Sequence, residues 1–196
     1  MKCQQDENCD PIKSSYPTQT FDDVRPNDQH TLAEYKECIA ELNRLKADIP
    51  FSNGMKEHAA AIMEEFFRSA RKRVVVFCHN LQQDAYESQN VFESLVGAVL
   101  SGVHVDIITQ EEPQSVKIKE FAEIAKNAKW PLRLVRSKDN FQKQLTQNFA
   151  VMDNRAYRWE PNWAEPKASA CMNDPDKANQ LMEVFEHLMK KNLATS

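Results

Sequence analysis

Glycine is scarce in this chain: only Gly54, Gly97 and Gly102 occur in 196 residues. That excludes a glycine-based nucleotide cradle, which needs backbone that can approach phosphate without a Cβ in the way. HExxH, GxSxG and zinc-ligand spacings are absent as well, and no internal repeat or low-complexity tract is present. Five cysteines (Cys3, Cys9, Cys38, Cys78, Cys171) are odd in number and contain no CxxC. No stretch reads as a signal peptide or a membrane span, so the sequence predicts a cytoplasmic protein with reduced thiols and no membrane partner. Neither a metal nor a cofactor is expected. A basic field is also missing. The net charge is −4, with six Lys/Arg against ten Asp/Glu in residues 1–50 and nineteen of each in residues 51–196. Nucleic-acid binding would therefore have to come from a local patch.

What is present divides the chain into three parts. Residues 1–30 hold Pro11, Pro17 and Pro26 among Asp, Asn, Gln and Ser, a composition too poor in apolar groups to offset ordering entropy, which predicts a flexible acidic arm. At Thr31 a capping box with Glu34 opens an amphipathic lead-in helix over residues 31–50, its stripe made by Leu32, Tyr35, Ile39, Leu42 and Leu45. That stripe suits either its own domain or a docked partner. The third part, residues 51–196, alternates helical and strand patterns. A helix through Ala70 precedes the continuous apolar run Arg73–Cys78. A helix over about Asn90–Ser101 stops at Gly102 before a strand at 103–109, and a helix opened by Pro113 precedes the strand 131–135. This rhythm predicts an α/β fold with a mixed, mostly parallel sheet flanked by helices on both faces.

The closing segment is the most legible. Asp153-Asn154 joins two strands carrying Phe149, Val151, Ala156, Tyr157 and Trp159. A further strand leads to a helix with Asp174 as cap, Pro175 at its first position, and Ala178, Leu181, Met182, Phe185, Leu188 and Met189 on one face.

Over roughly residues 53–191 this order, with the tail pattern NDPDKANQLMEVFEHLM, resembles one lobe of the phospholipase D superfamily. In that family a His-x-Lys-x4-Asp motif lies on the strand pair and a Gly-Ser-x-Asn follows. Aligning the motif on Asp153 puts Thr146 at the nucleophilic histidine position and Asn148 at the lysine position. Trp159, Glu160 and Asn162 fall on the Gly, Ser and Asn positions, so Asp153 and Asn162 alone match. Threonine and asparagine supply neither an attacking imidazole nor a cationic clamp for phosphoryl oxygens. The resemblance therefore implies a catalytically inactive binding or assembly subunit, self-associating as single-lobe members do, that holds a protein partner.

Two alternatives come from the residues themselves. Seven Lys/Arg, among them Arg155, Arg158 and Lys167, interleave with Tyr157, Trp159 and Trp163 in residues 131–167, a mixture able to track a phosphate backbone and stack bases. Of the five histidines, His79 ends the first buried strand, where pockets of α/β sheets form, and a divergent phosphodiesterase would recruit it.

Overall fold

The computed structural model describes residues 25–27, 29–82, 86–165 and 167–194. Cys3, Cys9 and nearly all of the predicted acidic arm lie outside these residues. Seven strands form one mixed sheet in the order β1-β7-β6-β5-β2-β3-β4. They are β1 (Phe51–Asn53), β2 (Arg73–Cys78), β3 (His104–Thr109), β4 (Leu132–Arg136), β5 (Asn148–Met152), β6 (Ala156–Glu160) and β7 (Ala168–Cys171). The helices are α1 (Leu32–Leu45), α2 (Lys56–Ser69), α3 (Gln89–Leu100), α4 (Val116–Ala128), the single turn α5 (Asn140–Lys143) and α6 (Pro175–Ala194).

The α/β class is as expected, but the balance of the sheet is corrected. Only β2-β3 and β3-β4 pair in parallel, while β1-β7, β7-β6, β6-β5 and β5-β2 are antiparallel. Parallel pairs need long crossovers, which α3 and α4 supply. After β4 the chain returns through α5 so that β5 runs antiparallel to β2, short connections close the antiparallel β5-β6 and β6-β7 pairs, and β7 then takes β1 on its outer edge. The Asp153-Asn154 hairpin carries both residues at positive φ (50° and 55°), the backbone of a type I′ turn that Asn and Asp tolerate. The helix expected to open at Pro113 starts instead at Val116. Ser115 caps it by accepting from Ile118 N at 3.3 Å, and Gln114 is tied back to Asn80 O at 2.7 Å.

Strand alternation sorts the core into two layers. Val74, Val76, Ala150 and Met152 face α1 to α4, whereas Val75, Phe77, Phe149, Val151 and Tyr157 face α6. α1 begins with its capping box, Thr31 N donating to Glu34 Oε2 at 2.8 Å, and buries Tyr35, Ile39 and Leu42 against α2 and the sheet. Its stripe thus packs on its own domain, with only Leu32 and Leu45 exposed at its ends. No helix among the described residues is long and apolar enough to cross a membrane.

One buried carboxylate pins the sheet to α6. Asp106 on β3 is 4% exposed and accepts from Arg73 Nη2 at 2.6 Å and from Arg133 Nε, while Arg73 also pairs with Glu186 of α6. Burial works to raise the Asp106 pKa, but the hydrogen bonds from Arg133 and Arg73 outweigh it and hold the carboxyl below its ordinary 3.8. A carboxyl depressed in the folded state contributes stability above its unfolded pKa and loses it as pH falls through the folded value. Urea titrations should therefore lose stability as pH drops below about 4, and Asp106→Asn should flatten that part of the profile. An unchanged acid slope in Asp106→Asn would remove this carboxylate from the account.

Candidate functional site

A partly open cleft of about 250 Å³ sits at the carboxyl edge of β2. The topology explains why side chains gather there. The ends of β2, β6 and β1 meet the start of β5, and the first turn of α2 closes one side. Pockets in open α/β sheets form at this edge because strands leave there and loops diverge.

Polar groups from four segments line the cleft. His79 follows β2 and lies flat against Trp163, their rings 4.0 Å apart and 8° from parallel. Its backbone N–H donates to Asn148 Oδ1 at 2.8 Å, and its Nδ1 lies 3.3 Å from Gln110 Oε1. An amide oxygen only accepts, so Nδ1 carries the proton of this contact. Gln110 is itself fixed, its Nε2 donating to Gln142 O at 2.6 Å and to Leu145 O. Asn148 Nδ2 donates to Glu160 Oε2 at 2.7 Å, and Arg158 Nη2 donates to Glu160 Oε1 at 3.2 Å. The arginine and glutamate side chains are only 11% and 12% exposed, so this is a buried ion pair in the wall of the cleft.

Thiol and phenol here are kept protonated. Burial, with a small addition from Glu160, pushes the Cys78 thiol up to about 12, and burial with the neighbouring Cys78 pushes the Tyr86 phenol up. A thiol of that pKa is no nucleophile at neutral pH. Among the described residues no group of three or more His, Cys, Asp or Glu side chains is placed to hold a metal ion.

The sequence-predicted residues separate into those the cleft gathers and those it does not. His79, Asn148, Arg158, Glu160 and Trp163 line it. Thr146 stands beside it, its hydroxyl donating to Pro161 O at 3.1 Å and its carbonyl accepting from Trp163 N at 2.8 Å, which holds the loop that brings Trp163 onto His79. Asn162 shapes that loop by accepting from Ala164 N at 3.1 Å and donating to Glu165 Oε1 at 3.1 Å. Asp153 lies at the other end of β5, where its carboxylate accepts from the backbone N–H groups of Arg71, Lys72 and Arg73 at 2.8, 2.8 and 3.0 Å.

The basic and aromatic residues do not form one strip. Tyr157 and Trp159 point to the α6 face, Tyr157 in the core and Trp159 under Lys177 at 4.7 Å, while Arg158 points the opposite way. Arg155 is spent on Met172 O at 2.6 Å and Asn43 Oδ1 at 2.7 Å. Lys167 is exposed just before β7. The period-2 alternation of β6 separates neighbours in sequence onto opposite faces. Asn53, Asn80 and Tyr86 also line the cleft and were not legible as site residues. The one available signal was at Asn80, which lies two residues beyond the apolar run that ends at Cys78.

No family model and no curated protein matches the sequence. Solved structures do match the fold. The phospholipase D family member Nuc from Salmonella typhimurium aligns at 20% identity over 72% of this chain and 95% of its own, with a TM-score of 0.51. NucT from Helicobacter pylori aligns at 12% identity over 72% of this chain and 96% of its own, TM-score 0.53. TrmBL2, an archaeal chromatin protein, aligns at 14% identity over 81% of this chain and 61% of its own, TM-score 0.55. The fold is phospholipase D-like.

Proposed function

We propose that this chain is a catalytically inactive phospholipase D-like binding subunit that uses the cleft at its motif edge to hold a ligand or a protein partner. The observation that carries this reading is the Asn148–Glu160–Arg158 chain of contacts. At the position where the family places a free lysine, an asparagine donates to a carboxylate, and Arg158 in the same wall is already paired with that carboxylate. An incoming phosphodiester would find Arg158 and Glu160 already paired in a poorly solvated wall, with no positive charge left over from this pair to neutralise its own. The Thr146 hydroxyl donates to the Pro161 carbonyl, a partner that cannot take its proton. Losing both nucleophile and charge clamp costs several orders of magnitude in rate. The motif is thus a degenerate one, and the protein is read as a cytoplasmic homodimer that pairs at this edge, as single lobes of the family do.

A second reading, nucleic-acid binding, is favoured by the indole of Trp163, 36% exposed at the mouth of the cleft, with exposed Lys56 and Lys167 on nearby segments. TrmBL2, which shares the fold, is a chromatin protein with its own mode of DNA binding. One experiment addresses both: incubation with bis(p-nitrophenyl) phosphate and with labelled single- and double-stranded DNA and RNA across a salt series, alongside His79→Ala. The expected outcome is no hydrolysis above the buffer rate and no binding that falls steeply with salt. Hydrolysis abolished in His79→Ala would establish a divergent phosphodiesterase instead, and salt-sensitive binding without cleavage would move the assignment to nucleic acid.

A further inference from the structure

Behind the cleft wall, four buried polar residues connect His79 to the end of α6. Gln110 and Gln142 are fully buried, and Ser137 and Asn192 are 2% exposed. Gln110, just past β3, turns its Oε1 toward His79 Nδ1 and donates from Nε2 to Gln142 O at 2.6 Å and to Leu145 O. Those two carbonyls belong to α5 and to the turn that follows it. The Gln142 side chain accepts at Oε1 from Ser137 Oγ at 2.9 Å and from Asn192 Nδ2 at 2.8 Å, and donates from Nε2 to Leu188 O at 3.2 Å. Asn192 in turn accepts from Lys138 N at 3.3 Å. An unbroken series of hydrogen bonds thus runs from the cleft through α5 to the last turns of α6.

Burying amides costs more desolvation than burying apolar groups of the same size, and leucines at these positions would hold α5 against the sheet as well. What apolar side chains cannot supply is direction. With both hydrogens of its amide spent on carbonyls, Gln110 has only its oxygen to present to His79. The imidazole therefore donates from Nδ1 and leaves Nε2 bare whenever the ring is neutral. Neither Gln110 nor Gln142 lines the cleft, so they act on its contents only through His79. Resting on the reading of the cleft as a binding site, we infer that this chain is a positioning device: Gln142 and Asn192, through Gln110, fix the tautomer and the plane of His79 and couple α5 and the last turns of α6 to the cleft. A ligand group that reaches the neutral imidazole must then donate to it. A displacement of α5 from α6 changes what the cleft offers, without touching any residue that lines it.

The test is the long-range proton–nitrogen spectrum of the imidazoles in the intact chain at about pH 8.5, roughly two units above the ordinary imidazole pKa, with His79 assigned by its loss in His79→Gln. Protonated and bare ring nitrogens resonate far apart, so the spectrum reads the tautomer directly. The wild type should show His79 as the Nδ1–H form with a bare Nε2. Gln110→Leu should lower the ratio of Nδ1–H to Nε2–H about 5- to 10-fold, the loss of one hydrogen bond. Gln142→Leu, which does not touch His79, should lower the ratio in the same direction, and should add nothing further on top of Gln110→Leu. Leu181→Ala, a truncation of a buried α6 residue outside the chain, should lower the unfolding temperature and leave the ratio unchanged. A chain kept only to hold the fold together would make Gln142→Leu behave like Leu181→Ala. An Nε2–H form in the wild type, which needs no variant to fold, or an unchanged ratio in Gln142→Leu would overturn the inference. Either result leaves the binding-subunit reading standing, which phosphodiester hydrolysis alone would bring down.

Discussion

Arg158→Ala should cost the fold roughly 3 kcal/mol, the low end of what breaking a buried ion pair costs. Both partners are almost wholly shielded, at 11% and 12% exposure, so the discount that applies to surface pairs does not apply here. The low end is appropriate because the pair is joined by a single 3.2 Å contact, and Glu160 keeps its bond from Asn148 after the arginine is removed. For a chain of this size such a loss lowers the unfolding temperature by roughly 6–12 °C. The double variant Arg158→Met with Glu160→Gln should recover most of it, since no uncompensated charge then stays in the wall. A loss under about 1 kcal/mol for Arg158→Ala, by chemical denaturation, would mean that water reaches the pair and that the cleft is more solvated than its geometry indicates.

Asp153→Ala should be about as damaging, again near 3 kcal/mol, although the residue is far from the cleft. Its carboxylate gathers three successive backbone N–H groups at the start of β2, and hydrogen bonds to a charged acceptor are worth more than neutral ones. Water can replace part of this at Arg71 and Lys72, whose surroundings are exposed, which keeps the figure below the sum of three full bonds. Alanine at φ 50° adds strain that aspartate tolerates. Asp153→Asn should lose only about 1 kcal/mol, because one oxygen still serves Lys72 and Arg73 and asparagine accepts the same backbone. Equilibrium unfolding of the two variants separates them, and an alanine no worse than the asparagine would deny the aspartate its anchoring role.

Asp153 also marks the boundary between what the sequence made legible and what it did not. Its place in a hairpin was readable, because an Asp-Asn pair between alternating apolar strands specifies a tight turn. So were α1, α6 and the parallel run of β2, β3 and β4, whose apolar periodicities are long and uninterrupted. β1 was not legible. Phe51-Ser52-Asn53 is too short to show a period and becomes a strand only because β7 pairs with it, Phe51 opposite Ala170. The weight of antiparallel pairing was missed for a related reason: the β5-β6 hairpin was readable, but the antiparallel pairing of β5 with β2 and of β7 with β1 joins segments far apart in the chain and has no local signature.

The site was half legible. His79, Asn148, Glu160, Arg158 and Trp163 were each identified from the sequence, three of them through the motif register and the strand end. Their meeting with Asn53 and Asn80 depends on β1 lying across the sheet from β2, a fact with no local signature. The supposed strip of Arg155, Tyr157, Arg158 and Trp159 was contiguous only in sequence. On a pleated strand that contiguity places alternate members on opposite faces.

The central claim is that the motif edge of this phospholipase D-like fold binds without attacking phosphorus. Attack by an imidazole on a phosphodiester expels one alcohol and leaves the phosphoryl group, still esterified to the other, on the protein, so the most direct measurement is mass spectrometry of the intact chain quenched in alkali after incubation with a large excess of an activated phosphodiester. The account predicts an unmodified mass at every time point. A phosphoryl-monoester adduct that accumulates and maps to a histidine, His79 above all, would contradict it.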